Sequence, residues 1–414
     1  MKNKLLVLSM LFLACSSSFA QKNELKELDK LVSKKNTTES TALLATVEKM
    51  LPTATDDQKA AYYYYKALNE INLAKSGVNF NENRSNAIQS INKLIKFEND
   101  TKSKKYTTEI LGVKNTLLAE LVNEAVENNK NKNYKKSSRL FEQAYELSST
   151  DTIYLYNAAN DAINAKDFDY AETKLKELIK LNYNGDTETF VATAKTTNMV
   201  ESFGTDKKAR DIAVKNGSHI KPETITSKNA QAGIYASLSQ ILLNKENYSE
   251  GETYTLKAYE LDKDNINNLL NVLYLYYNTN RIYKYEEYAT KGIERFPENE
   301  NLLFNLAVIK LKNGENDKAA ILLNKILTFN KNNFDALKTL GNIELQKDAE
   351  VTNKINALPN TAASDKKRSE LMQEKKQVYL NTLDYFKKAQ TINPKDENLN
   401  ELIKQIQAFL NSNS

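Results

Sequence analysis

Between Ala232 and Asn333 the chain repeats its own pattern every 34 residues. Alignment of Ala232–Asn265, Ile266–Asn299 and Glu300–Asn333 brings Leu238, Val272 and Leu306 to one position, followed by Ser239, Leu273 or Ala307. A second half carries Gly251, Tyr285 and Ala319, then Ala258, Gly292 and Ile326, and closes in a polar turn. A unit of this length holds two short helices and cannot bury its apolar face alone. Consecutive units must therefore stack and share one continuous core. Composition agrees: ten Gly and five Pro in 414 residues leave helix interiors undisturbed, and 23 Tyr and 14 Phe supply bulk where Trp is absent.

The same register returns earlier. Leu121, Ala125, Tyr134, Phe141 and Ala144 fill its positions in Leu118–Asp151, and Leu155, Ala158, Ala159, Phe168, Ala171 and Leu175 in Thr152–Gly185. Two helices of a hairpin approach closely only where side chains are short. Ala125, Ala159 and Ala307 share one such position, Ala171 and Ala319 another. This 34-residue helix–turn–helix unit resembles the tetratricopeptide repeat (TPR). The resemblance implies an all-α fold, a right-handed TPR-like α-solenoid of helix hairpins, and a binding scaffold more readily than an enzyme.

Around this register the chain divides as follows. Residues 1–20 have the basic start, short apolar stretch and Ser18-Phe19-Ala20 cleavage pattern of a secretory signal peptide. Residues 21–117 read as degenerate helical repeats, with helices expected at Glu24–Lys34, Glu39–Met50, Asp57–Lys75 and Arg84–Phe97. The run Tyr62-Tyr63-Tyr64-Tyr65 covers every side of a helix, so one or two of its rings must be exposed or shared with a neighbour. Two TPR-like repeats fill 118–185. In 186–231 the period breaks: Phe190–Phe203, with Thr196-Thr197-Asn198 between its halves, predicts a β-hairpin, and Asp206–Asn216 a short helix, so this is a small β-hairpin/helix insert. Three repeats follow in 232–333. A further repeat, 334–396, contains an extended helical arm over Glu344–Gln377, and 397–414 form a capping helix and tail.

The signal places the mature protein outside the cytoplasm, in the periplasm or beyond, possible outer-membrane association included, with Gln21 as its first residue. Cys15 offers an alternative: Phe12-Leu13-Ala14-Cys15 matches a lipoprotein signal only at Ala14, so a lipid anchor there is the second choice. The apolar stretch Leu5–Ala14 is too short to span a bilayer, and no other span is expected. Net charge is +5, or +3 without Lys2 and Lys4, with acids and bases interleaved. That argues against a nucleic-acid partner, which needs a basic stripe.

His219 is the only histidine, read as an exposed loop residue with no carboxylate beside it, and Cys15 is the only cysteine. Thiol–imidazole catalysis and His- or Cys-based metal sites are excluded, no phosphate-binding glycine loop occurs, and no cofactor or metal is expected. What remains is asparagine. The i, i+4, i+7, i+11 face of each first helix reads Ile153, Asn157, Asn160, Asn164, then Asn267, Asn271, Tyr274, Asn278, then Asn301, Asn305, Val308, Lys312, with Asn123 at the same position earlier. Asn disfavours helix interiors, yet its amide pairs with both N–H and C=O of an extended peptide. Asn123, Asn157, Asn271 and Asn305 resemble the asparagine ladder in the TPR superhelix of the O-linked N-acetylglucosamine transferases, which grips peptide main chain. The resemblance implies a groove for a protein or peptide partner, lined by Asn123, Asn157, Asn160, Asn164, Asn267, Asn271, Asn301 and Asn305 beside Tyr156, Tyr274 and Phe304. The reading is a non-enzymatic protein- or peptide-binding scaffold of the bacterial envelope. The alternatives are a glycan-capture accessory protein of the outer membrane and a structural subunit of an envelope complex.

Overall fold

The computed structural model describes residues 22–186, 188–204, 206–226 and 229–412. The signal segment, with Cys15 and the start at Gln21, lies outside them. The chain divides into two compact units at Ile241/Leu242.

The first unit opens with α1 (residues 22–33), α2 (Thr37–Met50), α3 (Asp56–Lys75) and α4 (Phe80–Thr101). Thr55 starts α3 through a reciprocal cap with Gln58, which satisfies two of the backbone donors a helix start leaves open. Tyr62 is core, while the other rings of the tyrosine run are shared with neighbours. Tyr63 meets Phe97 edge-on at 5.6 Å, and Tyr64 stacks on Tyr106 at 4.6 Å.

Next come α5 (Thr107–Lys130) with α6 (Tyr134–Leu147), and α7 (Ile153–Asn164) with α8 (Phe168–Lys180). The boundary expected at 117/118 falls inside α5. Buried Ile110 and Leu117 continue the stripe of Leu121 and Ala125, so one helix runs straight across it. Ala125, Ala159 and Ala171 are fully buried. On α6, the Ser137 and Ser138 hydroxyls donate to the carbonyls of Ala125 and Ala158 at 2.8 and 2.7 Å, one to each flanking helix. The small positions are where helices touch.

The insert is a three-stranded antiparallel sheet, β1 (Glu188–Ala194), β2 (Val200–Ser202) and β3 (His219–Thr226), in the order β2-β1-β3, with α9 (Lys207–Lys215) between β2 and β3. The expected hairpin and helix are present, and Asn198 takes its left-handed turn at φ 55°. Strand β3 is additional to the sequence reading. His-Ile-Lys-Pro-Glu-Thr-Ile-Thr contains Pro222, which an edge strand tolerates and a central one does not.

The second unit holds α11 (Tyr248–Leu261), α12 (Ile266–Asn278) with α13 (Ile282–Arg295), and α14 (Glu300–Lys312) with α15 (Asn316–Phe329). The boundary between the units falls inside α10 (Gln231–Asn244). Residues in the left-handed region sit at Lys132 and Lys166, and again at Glu246, Asn280 and Gly314. Within each run they are 34 apart. Each is followed by an N–H that reaches back five residues, as Arg281 to Tyr276 at 2.8 Å and Glu315 to Lys310 at 2.9 Å, which closes the helix with its last carbonyls satisfied. Asn265, Asn299 and Asn333 keep the same spacing at the starts of α12, α14 and α16, each accepting a backbone N–H. Some of the chain's asparagine is thus helix punctuation.

The last hairpin, α16 (Phe334–Asn356) with α17 (Ala362–Ile392), is the expected arm, and α18 (Glu397–Ser412) packs on α17. Its helices run 23 and 31 residues against 13 and 14 for α14 and α15. Val351, Leu371 and Val378 are buried in it.

Candidate functional site

Alternate first helices of the second unit, α12 and α14, border a cleft whose floor includes Leu273, Ile309 and, from α13, Tyr285, all buried. Leu270, Tyr274 and Tyr277 rise from α12 on one side and Asn305, Val308 and Lys312 from α14 on the other, enclosing about 330 Å³. Tyr274 and Tyr277 are 46% and 50% exposed, unusual for rings standing together, and so offer apolar area to a ligand. Tyr277 meets Tyr285 edge-on with centroids 6.3 Å apart. Burial, and next the adjacent Tyr277, push the Tyr285 phenol above its ordinary value, so it remains a hydroxyl. The Lys312 ammonium lies 5.7 Å from the Tyr277 ring centre, within cation–π reach.

The structure brings Tyr274 and Asn305 of the expected groove to this one cleft. Asn271, half-buried on α12, and the exposed Asn267 and Asn301 are not among its lining residues. Phe304 faces away, half-buried against the core of α14, α15 and α16. Neighbours in sequence on a helix point about 100° apart, so Phe304 and Asn305 cannot serve the same wall. Tyr277, Leu270 and Lys312 share the cleft by the i, i+3, i+7 logic of a helix face. Tyr285 comes from a second helix, and no spacing within the first helices could have found it.

In the first unit, Asn157 and Asn160 are half-buried, Asn123 and Asn164 are exposed, and Tyr156 packs on Tyr183 with centroids 5.4 Å apart. A second cleft there, about 520 Å³, lies between α3 and α5 with Tyr64, Leu68, Ile71, Val113 and Leu117 in its walls. Lys75 and Glu120 pair across it at 3.2 Å.

Two populations of asparagine emerge. Asn247, Asn265, Asn299 and Asn333 accept backbone N–H groups at helix starts. Asn330 and Asn333 also donate to Glu300 at 2.9 and 2.6 Å, tying the end of that 34-residue unit back to its start. The side chains of Asn123, Asn157, Asn160, Asn164, Asn267, Asn271, Asn301 and Asn305 make no hydrogen bond among the described residues, whereas Asn278, at the end of its face, donates to the Tyr274 carbonyl at 2.8 Å. The stripe amides therefore do not knit the repeats together.

His219 corrects the reading of an exposed loop without a carboxylate. It starts β3 opposite Ala194, while Glu201 on β2 lies opposite Ala192. Both small alanines sit on one face of the central strand, so the edge-strand side chains meet over them, His219 Nε2 at 3.0 Å from Glu201 Oε2. Nδ1 lies 2.9 Å from Ser218 Oγ, but that hydroxyl donates to the Ala213 carbonyl at 2.9 Å. Its proton is directed at a carbonyl rather than the imidazole, so this is not the arrangement of an activated serine. Among the described residues no group of three His, Cys, Asp or Glu could hold a metal ion, and no helix is long and apolar enough to cross a membrane.

The regular hairpins pair two antiparallel helices through small residues and turn at left-handed residues spaced 34 apart within each run. The fold is of the tetratricopeptide type. No family model matches the chain, and no curated protein matches it. Solved TPR structures do. A TPR repeats protein from Bacteroides fragilis is 20% identical over 63% of this chain and 99% of its own, at a TM-score of 0.38. The C-terminal part of a TPR repeat-containing protein from Cytophaga hutchinsonii is 11% identical over 68% and 99%, also at 0.38. YrrB, described as a TPR protein with an unusual peptide-binding site, is 14% identical over 52% and 88%, at 0.34. Superposition at such scores transfers no residue, and the TPR-type fold of this chain stands on its own hairpins and their period.

Proposed function

We propose that this TPR-type chain is a non-enzymatic scaffold of the bacterial envelope, exported by its N-terminal signal, that binds a protein or peptide partner through clefts between its first helices. The carrying observation is the α12–α14 cleft, where exposed tyrosines and an unpartnered asparagine amide stand over a buried apolar floor. An extended peptide matches that surface, with apolar side chains for the rings and backbone N–H and C=O for the amide. In the export proposal the mature chain starts at Gln21. Intact mass of protein from native envelope fractions checks this, and a diacylglyceryl-modified Cys15 would replace the soluble form with an anchored one.

The binding test replaces Asn305 by Ala. Its amide makes no hydrogen bond among the described residues, so stability is expected to stay level or rise, by up to about 0.7 kcal/mol. An amide lost from a buried ligand backbone costs roughly 0.5–1.5 kcal/mol, and affinity for a partner captured from the envelope is expected to fall about two- to tenfold. A folded variant with undiminished affinity would remove Asn305 from the binding surface.

A further inference from the structure

We infer that the α12–α14 cleft selects a peptide segment in which an acidic side chain neighbours an aromatic or large aliphatic one; this rests on the peptide-binding reading above. The apolar part follows from the walls. Leu270, Tyr274, Tyr277 and Val308 rise around a buried floor, and about 330 Å³ accommodates a large side chain with its backbone.

The acidic part follows from charge. Among the described residues Lys312 is the only charged one lining the cleft, and no acid lines it. A second chamber of about 360 Å³ adjoins, sharing Tyr277, Ile309 and Lys312 and adding Asn280, Ile282 and Asn313, again without an acid. Two acids of the same repeats, Glu286 on α13 and Glu315 at the start of α15, are already engaged. Glu286 takes Lys310 at 2.8 Å and the Asn313 amide at 2.9 Å, and Glu315 takes Lys310 and Lys318. Lys312 itself has no anionic partner among the described residues. Its ammonium, held over the Tyr277 ring, presents positive charge at the junction of the two chambers.

That position also says which carboxylate is meant. A chain that ended at Lys312 would leave the second chamber empty, whereas a chain passing through places a side-chain carboxylate at the ammonium. Its flanking residues then lie among the tyrosines on one side and near the Asn280 and Asn313 side chains on the other.

The test is a positional-scanning array of N-acetylated, C-amidated 12-residue peptides probed with the full mature chain, followed by fluorescence anisotropy on the best sequences. Strongest binding is expected where Asp or Glu stands within two residues of Phe, Tyr, Leu or Ile. Gln in place of the acid is expected to weaken binding about fivefold, the size of a modest ion pair. Lys312→Glu, at the exposed end of α14, is expected to move the preference to Lys or Arg beside the same apolar residue, with circular dichroism to check that the variant is folded. Equal binding of acid and Gln peptides, with loss in Tyr274→Ala, would overturn the acidic preference and leave the cleft as a peptide site. Binding that needs a free C-terminal carboxylate would overturn the through-passing chain. Binding unchanged in a Tyr274→Ala/Asn305→Ala double variant, or absent from every peptide, would overturn the cleft itself.

Discussion

The hairpin α14/α15 and its successor α16/α17 begin alike and end differently. Asn299 and Asn333 cap their first helices, and Ala307 and Gly341 occupy the same close-contact position 34 residues apart. Gly314 then turns the first hairpin in the left-handed region, at φ 76°. The equivalent residue of the second is Asp348, which continues α16 as helix, and no turn occurs until Ala357. Beyond the shared base the means of adhesion change. The regular hairpin is sealed by apolar contact, with Leu303, Ala307, Ala319 and Leu323 buried together. The arm adds a polar lattice to its three buried side chains: Asp348 pairs with Lys375 at 2.9 Å and accepts the Tyr379 hydroxyl at 3.1 Å, and Glu344 takes the Asn381 amide at 3.0 Å. A repeat length is therefore set at its turn, and a hairpin that misses its turn lengthens until another stop signal comes.

The largest effect expected at this comparison is steric. A Cβ at Gly341 would overlap the ring of Phe386, itself fully buried and unable to swing away. Gly341→Ala should cost about 3 kcal/mol by overpacking, partly offset by the better helix propensity of Ala. Gly292→Ala meets only the flexible end of Leu269 and, less closely, Leu302, and should cost about 1 kcal/mol. Denaturant titration ranks the two. Equal costs would mean that the arm's base yields as readily as a regular repeat.

A smaller effect separates the arm by pH. Burial, and next the Asp348 carboxylate, raise the Tyr379 phenol to about 12 from an ordinary value of 10.0. The folded-state value is above the unfolded one, so the contribution is complete below pH 10 and is lost as pH rises towards 12. The melting-temperature advantage of wild type over Tyr379→Phe should therefore shrink across that window. A constant difference would show that the hydroxyl contributes nothing that titrates.

The smallest effect is a gain. Glu246 holds φ 57° in a regular turn, where a side chain is strained and glycine is not. Glu246→Gly should stabilise by about 0.5–1 kcal/mol, with Asn280→Gly gaining less because Asn tolerates this region better. A loss in thermal unfolding would mean that the Glu246 side chain itself holds the turn.

How much of this was legible follows from what each contact depends on. The period, the small positions Ala125, Ala159 and Ala307, and the insert's first two strands are repeated or local signals, readable along the chain. The full length of α5 was missed because alignment to the 34-residue block hid Ile110 and Leu117, although they lie on the same stripe. Strand β3 was missed because Pro222 argues against a strand until an edge position is known. At the cleft, Tyr274, Asn305 and Lys312 fall on helix faces that spacing predicts, while Phe304 was wrongly grouped with its neighbour Asn305.

The sequence by itself determined that the chain builds helix hairpins at a fixed repeat, where they turn, and which small residues let them close. Those are decisions of local propensity, capping and periodic burial, each made within about 34 residues. Tertiary structure alone decided that Tyr285 from a second helix floors the cleft between α12 and α14. It also decided that Glu201 reaches His219 across two alanines, and that the stripe asparagines other than Asn278 make no side-chain hydrogen bond among the described residues while Asn265, Asn299 and Asn333 cap helices. Such contacts join residues whose separation along the chain carries no period, so only packing in space fixes them.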